Sequence, residues 1–360
     1  MKRPTPAPGA PKPARAKPAR AKPAHAKPVA AKRSAARRSA AKQSAPGAAA
    51  LAARVVRELD AIERRGGDGT LDLGAGLALP VTNLGKPYFP DAGLTKGDLL
   101  RYYARVSPAL LPAIADRPLA LKRHPGGVQG QSFFQQDPGP HAPDAVRTAE
   151  VETEKGVERR IVGGDLFTLL YTVQIGTIAV NPWHARVGRL RNPDYAVIDL
   201  DPGEGVAFRA VAQAARWVHE VLEALDLVGV AKTSGSRGMH VAIPLGRTAT
   251  WDDCAAIAAH VAREVASRHP AHATVERALK ARPKGTIYMD HLQNAYGKTL
   301  ASVLSARATA DARVSMPLSW RQVTAALDAG AFTIATVPTR LAAARRTWAP
   351  LVPGRQEGNR

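Results

Sequence analysis

The stretch Tyr195-Ala-Val-Ile-Asp-Leu-Asp-Pro-Gly203 decides the fold of this chain. Its apolar residues predict a buried β-strand, and its Pro-Gly pair predicts the turn that ends this strand. Because side chains alternate along a strand, Asp199 and Asp201 lie on the same face. Two carboxylates about 6–7 Å apart on one rigid strand can bracket a pair of divalent cations about 3.5–4 Å apart. This arrangement is typical of phosphoryl or nucleotidyl transfer, although an Asp-x-Asp pair alone is a weak signal.

A second segment, residues 231–244, predicts a strand, a glycine-rich turn and another strand. The glycines of the turn, Gly235 and Gly238, allow backbone N–H groups to approach an anion closely. Three side chains add hydrogen-bond donors, and these are Ser234, Arg237 and His240. The segment is therefore suited to hold phosphate groups.

A third segment, Thr286-Ile-Tyr-Met-Asp290, predicts a strand that ends in a carboxylate. By alternation, Thr286, Tyr288 and Asp290 lie on one side of this strand. A third acid, a phosphate-binding hairpin and a strand with paired acids together predict a two-metal site for a nucleoside triphosphate.

These segments resemble the polymerase domain of the bacterial DNA ligase D family, a branch of the archaeo-eukaryotic primase superfamily. The resemblance runs from roughly residue 75 to the C-terminus. It includes residues 83–98, residues 117–134 and the segment Asp290-His-Leu-Gln-Asn294. Helical and strand patterns mix without a regular βαβ rhythm, which favours the α+β class. The resemblance implies a primase-type catalytic fold, with mixed or antiparallel sheets around a carboxylate metal site.

The resemblance also implies roles for individual residues. The catalytic and metal-binding residues are Asp199, Asp201 and Asp290, which bind two Mn²⁺ or Mg²⁺ ions. The nucleotide-binding residues are Ser234, Arg237, His240, Gln293 and Arg307. The DNA-binding residues are Lys86 and Lys96, which hold the 5′-phosphate across a gap or break, and Phe133 and Phe134, which contact the template.

Each of these side chains also has an ordinary structural explanation. Isolated lysines such as Lys86 and Lys96 are most often only solvated, and a lone histidine such as His240 is often a hydrogen-bonded structural residue. Arg307 can be a surface arginine near the end of a strand. Phe133 and Phe134 are adjacent, so on a strand we expect one ring to face the core and the other to face out. The exposed ring of Phe133 or Phe134 can stack on a template base, an interaction worth about 1–3 kcal/mol.

The chain departs from the pattern of the family at several positions. Arg237 replaces a lysine of many relatives, which keeps the charge but changes its geometry. The segment Leu304-Ser-Ala-Arg307 replaces a pattern closer to Tyr-Ser-Val-Arg. Asn181 replaces a histidine that lies near the incoming sugar in many members, which puts the family's preference for ribonucleotides in question. Trp183 and His184 either take part in the contact that this histidine makes near the sugar or only pack against other residues.

The charge of the chain is uneven. The net charge is +21, and residues 1–50 contain 13 Lys or Arg and no Asp or Glu. Recurrent prolines forbid a continuous helix, and nothing in the segment could form a core, so we predict a disordered basic tail over residues 1–47. Such a tail binds DNA phosphates in a salt-dependent way, or only keeps the protein in solution; an organellar targeting peptide fits less well because of the prolines. We expect a catalytic domain over residues 48–360, in which residues 48–74 form a helical N-terminal extension.

Composition excludes several classes of protein. A single cysteine, Cys254, excludes a disulfide framework and fits a reducing compartment. No stretch approaches the roughly 18 uncharged apolar residues of a membrane span, and the N-terminus lacks a hydrophobic signal sequence. We therefore expect no membrane contact, and the resemblance to a bacterial DNA ligase family implies a cytoplasmic, nucleoid-associated protein.

The resemblance implies template-directed nucleotidyl transfer to a DNA 3′-hydroxyl by a DNA-dependent DNA or RNA polymerase. Its expected role is to fill or extend ends and gaps in non-homologous end joining, with ribonucleotides favoured. Expected partners are gapped or broken DNA with a 5′-phosphate, nucleoside triphosphates, Ku and a separate ATP-dependent DNA ligase. The sequence has no lysine-centred ligase motif, so we expect a stand-alone polymerase. Alternatives are a primase that starts chains de novo, a metal-dependent nuclease and a non-catalytic DNA-end bridging protein.

Overall fold

The computed structural model of the protein describes residues 45–154 and 156–352. Residues 1–44 of the predicted basic tail lie outside these ranges, and the first helix begins at Ala45, slightly before the expected boundary of the catalytic domain. Within the described ranges, no helix is long and apolar enough to cross a membrane.

The helices of the described part follow the apolar periodicity of the sequence. They are α1 (Ala45–Arg64), α2 (Lys96–Ile114), α3 (Leu166–Gln174), α4 (Phe208–Ala224), α5 (Trp251–Arg268) and α6 (Leu341–Trp348). Apolar periodicity predicts the first four over residues 48–65, 99–113, 166–175 and 208–225, in agreement with the structure to within a few residues at each end. Thr95 begins α2 with a capping box, because its side chain accepts the Asp98 N–H and the Asp98 carboxylate accepts the Thr95 N–H.

The strands are short and numerous. They are β1 (Gly69–Asp72), β2 (Ala78–Val81), β3 (Pro87–Phe89), β4 (Leu94–Thr95), β5 (Leu119–Arg123), β6 (Phe133–Gln135), β7 (Thr148–Thr153), β8 (Gly156–Ile161), β9 (Asn181–Pro182), β10 (Tyr195–Pro202), β11 (Val230–Thr233), β12 (Met239–Pro244), β13 (Ala273–Thr274), β14 (Ile287–Asp290) and β15 (Pro317–Leu318).

The largest sheet has the strand order β13-β14-β10-β12-β11-β15 and is antiparallel except for the β13–β14 pair. A three-stranded sheet has the order β6-β5-β9, and β1–β2, β3–β4 and β7–β8 form separate hairpins. This arrangement confirms the predicted α+β class with antiparallel sheets.

Strand β10 lies inside the largest sheet and has one apolar face and one polar face. Ala196, Ile198 and Leu200 are fully buried on one face, against which α4 and α5 pack. Because side chains alternate, Asp199 and Asp201 leave the strand on the opposite face. The helices therefore stabilise the strand from one side and leave its carboxylates free to border a cavity on the other.

A buried arginine ties the segment before β5 to the segment before β10. The Arg117 side chain has no exposed surface and donates to the carbonyl oxygens of Trp183 and His184, at 3.1 and 2.5 Å. Its second terminal nitrogen donates to Asp194 Oδ2 at 2.5 Å. Asp194 also accepts from Arg186 and Arg189, so that one carboxylate balances several guanidinium groups.

Removal of this carboxylate should destabilise the fold strongly. We expect Asp194→Ala to lower the free energy of unfolding by about 3–5 kcal/mol, because it leaves the buried Arg117 charge uncompensated. Urea denaturation followed by circular dichroism measures the change. The matched control is Glu264→Ala, which removes the half-exposed pair with Arg268 and should cost no more than about 1 kcal/mol. Equal losses in the two variants would contradict the role assigned to the buried pair.

Candidate active site

Four polar residues form a row across the largest sheet. Lys232 on β11 lies opposite His240 on β12, and His240 lies opposite Asp199 on β10. Asp199 in turn lies opposite Asp290 on β14. Directly opposed residues place their side chains on the same face of a sheet. The register therefore brings together residues that are far apart in the sequence.

A cavity of about 280 Å³ opens at this face. It contains most of the predicted catalytic and nucleotide-binding residues. The lining residues are Asn181, Asp199, Asp201, Ser234, Ser236, Arg237, Gly238, His240, Thr299, Leu300, Ala301 and Arg307. Carboxylates thus share one small space with two guanidinium groups and a hydroxyl-rich turn.

The turn between β11 and β12 depends on its two glycines. Gly235 has φ +71°, and a Cβ there would stand 2.5 Å from Arg307 Cγ. A Cβ on Gly238 would stand 2.3 Å from the Leu200 carbonyl oxygen on β10. The Ser234 hydroxyl accepts the N–H groups of Ser236 and Gly238, both at 3.1 Å. These two N–H groups are therefore used within the turn, and anion binding by the turn stays a prediction.

The two arginines of the cavity are held differently. Arg307 is largely buried and donates to the Ser234 carbonyl oxygen at 2.8 Å, so its guanidinium is fixed against the turn. Burial lowers the pKa of Arg307, while the Asp199 carboxylate opposes this effect. Arg237 is exposed at the rim and has no hydrogen-bond partner in the described ranges. The site thus combines one fixed and one free positive charge.

The paired acids lie in different electrostatic surroundings. Burial alone would raise the pKa of Asp199, but His240 and the nearby cations Lys232 and Arg307 bring it below its usual value. Burial raises the pKa of Asp201, and the carboxylates of Asp199 and Asp290 raise it further. The positive charges of Arg282 and Arg237 act in the opposite direction on the pKa of Asp201 but do not reverse the shift.

Asp290 lies beside this pair, but its carboxylate accepts hydrogen bonds from the residues that follow it in the chain. Its Oδ1 accepts the Leu292 N–H at 2.8 Å, and its Oδ2 accepts from Gln293 Nε2 at 2.8 Å. Neither Asp290 nor Gln293 lines the cavity, and their predicted catalytic and nucleotide-binding roles stay predictions. Among the described residues, no group of three or more His, Cys, Asp or Glu side chains is already arranged to hold a metal ion.

The donor set nevertheless fits hard divalent cations. Carboxylate oxygens are the ligands that Mg²⁺ and Mn²⁺ prefer. Asp199 Oδ2 and both oxygens of Asp201 have no hydrogen-bond partner within residues 45–154 and 156–352. Asp290 keeps lone pairs beyond the two it uses, since an ionised carboxylate has about four acceptor positions. The free oxygens of Asp199 and Asp201 are therefore chemically suited to a divalent cation.

Two buried residues of the site did not emerge from the sequence patterns. The Lys232 ammonium is almost fully buried and contacts His240 Nδ1 at 2.6 Å. The side chain of Asn294 exchanges two hydrogen bonds with the backbone of Val197, each of 2.7 Å, and so clamps β10 from the segment after β14. The only sequence signal for the first was a lysine within the strand of residues 230–233, and the second appeared only as the last residue of a resembling segment, without a role.

The residues around Asn181 divide between the cavity and the core. Asn181 lines the cavity, and its Nδ2 donates to the Ala179 carbonyl oxygen at 3.3 Å. His184 has no exposed surface, and burial lowers its pKa to about 3. Trp183 is also buried and packs against Tyr296. Of the two alternatives for Trp183 and His184, packing is therefore the one that the structure supports.

The two predicted phosphate-binding lysines lie together at the start of α2. The Lys96 N–H donates to the Lys86 carbonyl oxygen at 2.9 Å across the β3–β4 hairpin. Lys96 Nζ is buried against the Thr82 carbonyl oxygen, whereas Lys86 Nζ is exposed and donates to the Pro125 carbonyl oxygen. Burial and the neighbouring Lys86 charge lower the pKa of Lys96 to about 8. Two adjacent cations at a helix N-terminus form a surface suited to an anion.

The expectation that one of the adjacent phenylalanines faces the core is wrong. The relative exposure is 48% for Phe133 and 68% for Phe134. Both rings lie on β6, a three-residue strand at the edge of its sheet. The guanidinium of Arg123 lies over the Phe133 ring and the Lys122 ammonium over the Phe134 ring. Both rings and their cations are thus accessible, and their role in template binding stays a prediction.

Close contact between the turn and β10 makes Gly238 sensitive to substitution. We expect Gly238→Ala to lower the free energy of unfolding by about 1–3 kcal/mol, because overpacking against the Leu200 carbonyl forces the backbone to shift. Gly246→Ala is the control, since a Cβ at Gly246 meets nothing within 4 Å. Thermal denaturation of both variants measures the difference, and equal midpoints would contradict the close packing.

Comparison with known proteins identifies relatives over most of the chain. The family model described as the LigD primase-polymerase domain matches residues 95–348. The bifunctional non-homologous end joining protein LigD of Bacillus subtilis is 32% identical over 264 residues, which are 73% of this chain and 42% of that protein. The multifunctional non-homologous end joining protein LigD of Pseudomonas aeruginosa is 28% identical over 256 residues, which are 70% of this chain and 30% of that protein.

A solved structure agrees with these matches. The polymerase domain of Mycobacterium tuberculosis ligase D, in complex with DNA, superposes with a TM-score of 0.69 and 30% sequence identity. The match covers 74% of this chain and 94% of that domain. The chain spans less than half the length of the curated relatives described above. Because the family model covers well over half of the chain and the fold agrees, the chain belongs to the LigD primase-polymerase domain family.

Proposed function

We propose that the chain catalyses template-directed transfer of nucleotides from nucleoside triphosphates to a DNA 3′-hydroxyl. The observation that carries this proposal is the cavity that has paired carboxylates on one wall and a hydroxyl-rich turn with two arginines on the other. A metal-dependent nuclease also uses clustered acids, but it needs no hairpin that holds a triphosphate. The relatives named for non-homologous end joining support a role in filling or extending ends and gaps during the repair of double-strand breaks.

The mechanism follows from the placement of charge. Asp199, Asp201 and Asp290 would hold two Mg²⁺ or Mn²⁺ ions, which supply Lewis-acid stabilisation of the attacking oxygen and of the departing pyrophosphate. Arg237 and Arg307 neutralise the triphosphate, and electrostatic stabilisation of this kind is the main contribution of a protein to phosphoryl transfer.

Other groups of the cavity orient the nucleotide. The hydroxyl hydrogen of Ser234 is available to a phosphate oxygen, since its oxygen already accepts two backbone N–H groups. His240 and Gln293 complete the proposed nucleotide-binding set. Asn181 Oδ1 has no hydrogen-bond partner in the described part of the chain and offers an acceptor to a sugar hydroxyl, which favours ribonucleotides.

Groups outside the cavity would bind the DNA. In this proposal Lys86 and Lys96 hold the 5′-phosphate at the far side of a gap, and Phe133 and Phe134 stack on template bases. Sequence specificity comes from template pairing, because the protein binds phosphates and does not read base edges. The proposed partners in repair are Ku and a separate ATP-dependent DNA ligase.

Primer extension tests the proposal directly. We expect the protein to extend a primer on a gapped duplex with a downstream 5′-phosphate, in the presence of Mn²⁺ and either ribo- or deoxynucleotides. Asp199→Ala should abolish extension while DNA binding persists, because metal binding is lost and DNA contacts are not. Glu204→Ala, which removes an exposed acid just beyond β10 that does not line the cavity, is the matched control. DNA binding without extension by the unmodified protein would instead favour the end-bridging alternative.

The Lys96 site predicts a pH-dependent preference for a 5′-phosphate. The pKa of Lys96 is about 8, so its positive charge is present below this pH and is lost as the pH rises above it. The phosphate itself is doubly charged throughout, because its second pKa is about 6. We expect the preference for gaps with a 5′-phosphate over gaps with a 5′-hydroxyl to shrink between about pH 7 and pH 9. Fluorescence anisotropy at constant ionic strength measures both affinities.

The control for this experiment is Lys96→Met, which lacks the titrating amine. In this variant the preference should be small and should not change over the same range of pH. A preference that falls equally in the unmodified protein and in the variant would assign the pH dependence to another group.

A further inference from the structure

The proposed mechanism does not use Lys232, although it is a buried cation behind the acids. Its side chain is 3% exposed and does not line the cavity. A lysine is rarely buried so completely unless it is paired. Its ammonium contacts three groups, and these are His240 Nδ1 at 2.6 Å, the Ser315 hydroxyl oxygen at 2.7 Å and the Ala301 carbonyl oxygen at 2.9 Å.

The hydrogen atoms of this cluster can be assigned from its partners. The Ala301 carbonyl can only accept, and the Ser315 hydroxyl gives its own hydrogen to the Thr233 carbonyl oxygen at 2.7 Å, so it also accepts from Lys232. The Lys232 ammonium has three hydrogens. Two go to these oxygens, and the third lies in the contact with His240 Nδ1.

The other ring nitrogen of His240 then has a single role. His240 Nε2 lies 3.2 Å from Asp199 Oδ1. Because the ionised Asp199 carboxylate can only accept a hydrogen bond, this contact places a hydrogen on Nε2, while Nδ1 is engaged by Lys232. A hydrogen bond to one ring nitrogen sets the state of the other in this way.

We infer that Lys232 is a positioning residue, which fixes His240 as an Nε2–H donor and thereby orients the Asp199 carboxylate. One carboxylate oxygen is held by His240, and the other, Oδ2, is left without a partner in the described residues. The row of opposed residues across β11, β12 and β10 supports this order of contacts. The inference rests on the proposed function only where it links Asp199 to catalysis; the state of the imidazole is independent of it.

The test combines a spectroscopic and a kinetic measurement on the full chain. Long-range ¹H–¹⁵N spectra report which imidazole nitrogen carries a hydrogen, and the signal of His240 is assigned by its loss in His240→Gln. In the unmodified protein we expect a hydrogen on Nε2 and no form in which Nε2 lacks one. In Lys232→Met, which removes the Nδ1 partner, both neutral tautomers should appear.

The kinetic arm is single-nucleotide extension with Mn²⁺. We expect Lys232→Met to lower kcat by about 10- to 100-fold with a smaller change in KM for the nucleotide, as is typical when a group that orients a metal ligand is removed. In a His240→Gln background, Lys232→Met should change kcat by less than about twofold, because residues that act through one contact are not additive. Lys232→Arg should recover part of the lost activity, and Arg209→Met on the exposed face of α4 is the charge-matched control.

Each outcome is decisive. A hydrogen on Nδ1 with none on Nε2 in the unmodified protein would overturn the inference. Because this measurement needs no variant, it decides the question even if Lys232→Met does not fold. Equal losses of kcat in the two backgrounds would assign Lys232 a purely structural role and would also overturn it. If the unmodified protein extends no primer, the proposed function fails, while the imidazole spectra still decide whether Lys232 sets the state of His240.

Discussion

The register of four adjacent strands is the constraint on which the site depends. Opposed pairing places Lys232, His240, Asp199 and Asp290 in one row, and this row supplies the cation, the imidazole and two of the acids. Because side chains alternate with a period of two, a slip of one residue in β10 would turn both of its acids into the apolar face. The helices packed on the opposite face oppose such a slip, because it would also expose Ala196, Ile198 and Leu200.

Close approach of backbone to backbone defines the other wall of the cavity. Gly238 lies so near the Leu200 carbonyl that the turn and the acid strand behave as one unit, and Gly235 makes room for the Arg307 side chain. Arg307 is then held by the Ser234 carbonyl oxygen. The position of Arg307 relative to the acidic wall is therefore set by backbone packing.

The sequence predicted those features of the site that depend on local patterns. Alternation placed Asp199 and Asp201 together, apolar periodicity located the helices, and the glycine pair marked the turn. Features that depend on partners distant in the sequence were not predicted. The buried contacts of Lys232 require the register of β11, and the exposure of Phe133 depends on which elements cover the edge of its sheet. Neither feature can be predicted from a short stretch of residues.

The clamp formed by Asn294 has a consequence for the order in which the site is assembled. It joins the backbone of Val197 to a residue 97 positions later in the chain. During synthesis the paired acids and the turn between β11 and β12 leave the ribosome well before β14 and this asparagine. Closing a loop of that length carries an entropic penalty that local hairpins avoid. A nascent chain that ends before β14 therefore contains Asp199 and Asp201 without Asp290, and the cluster of acids is complete only after residues far apart in the chain have met.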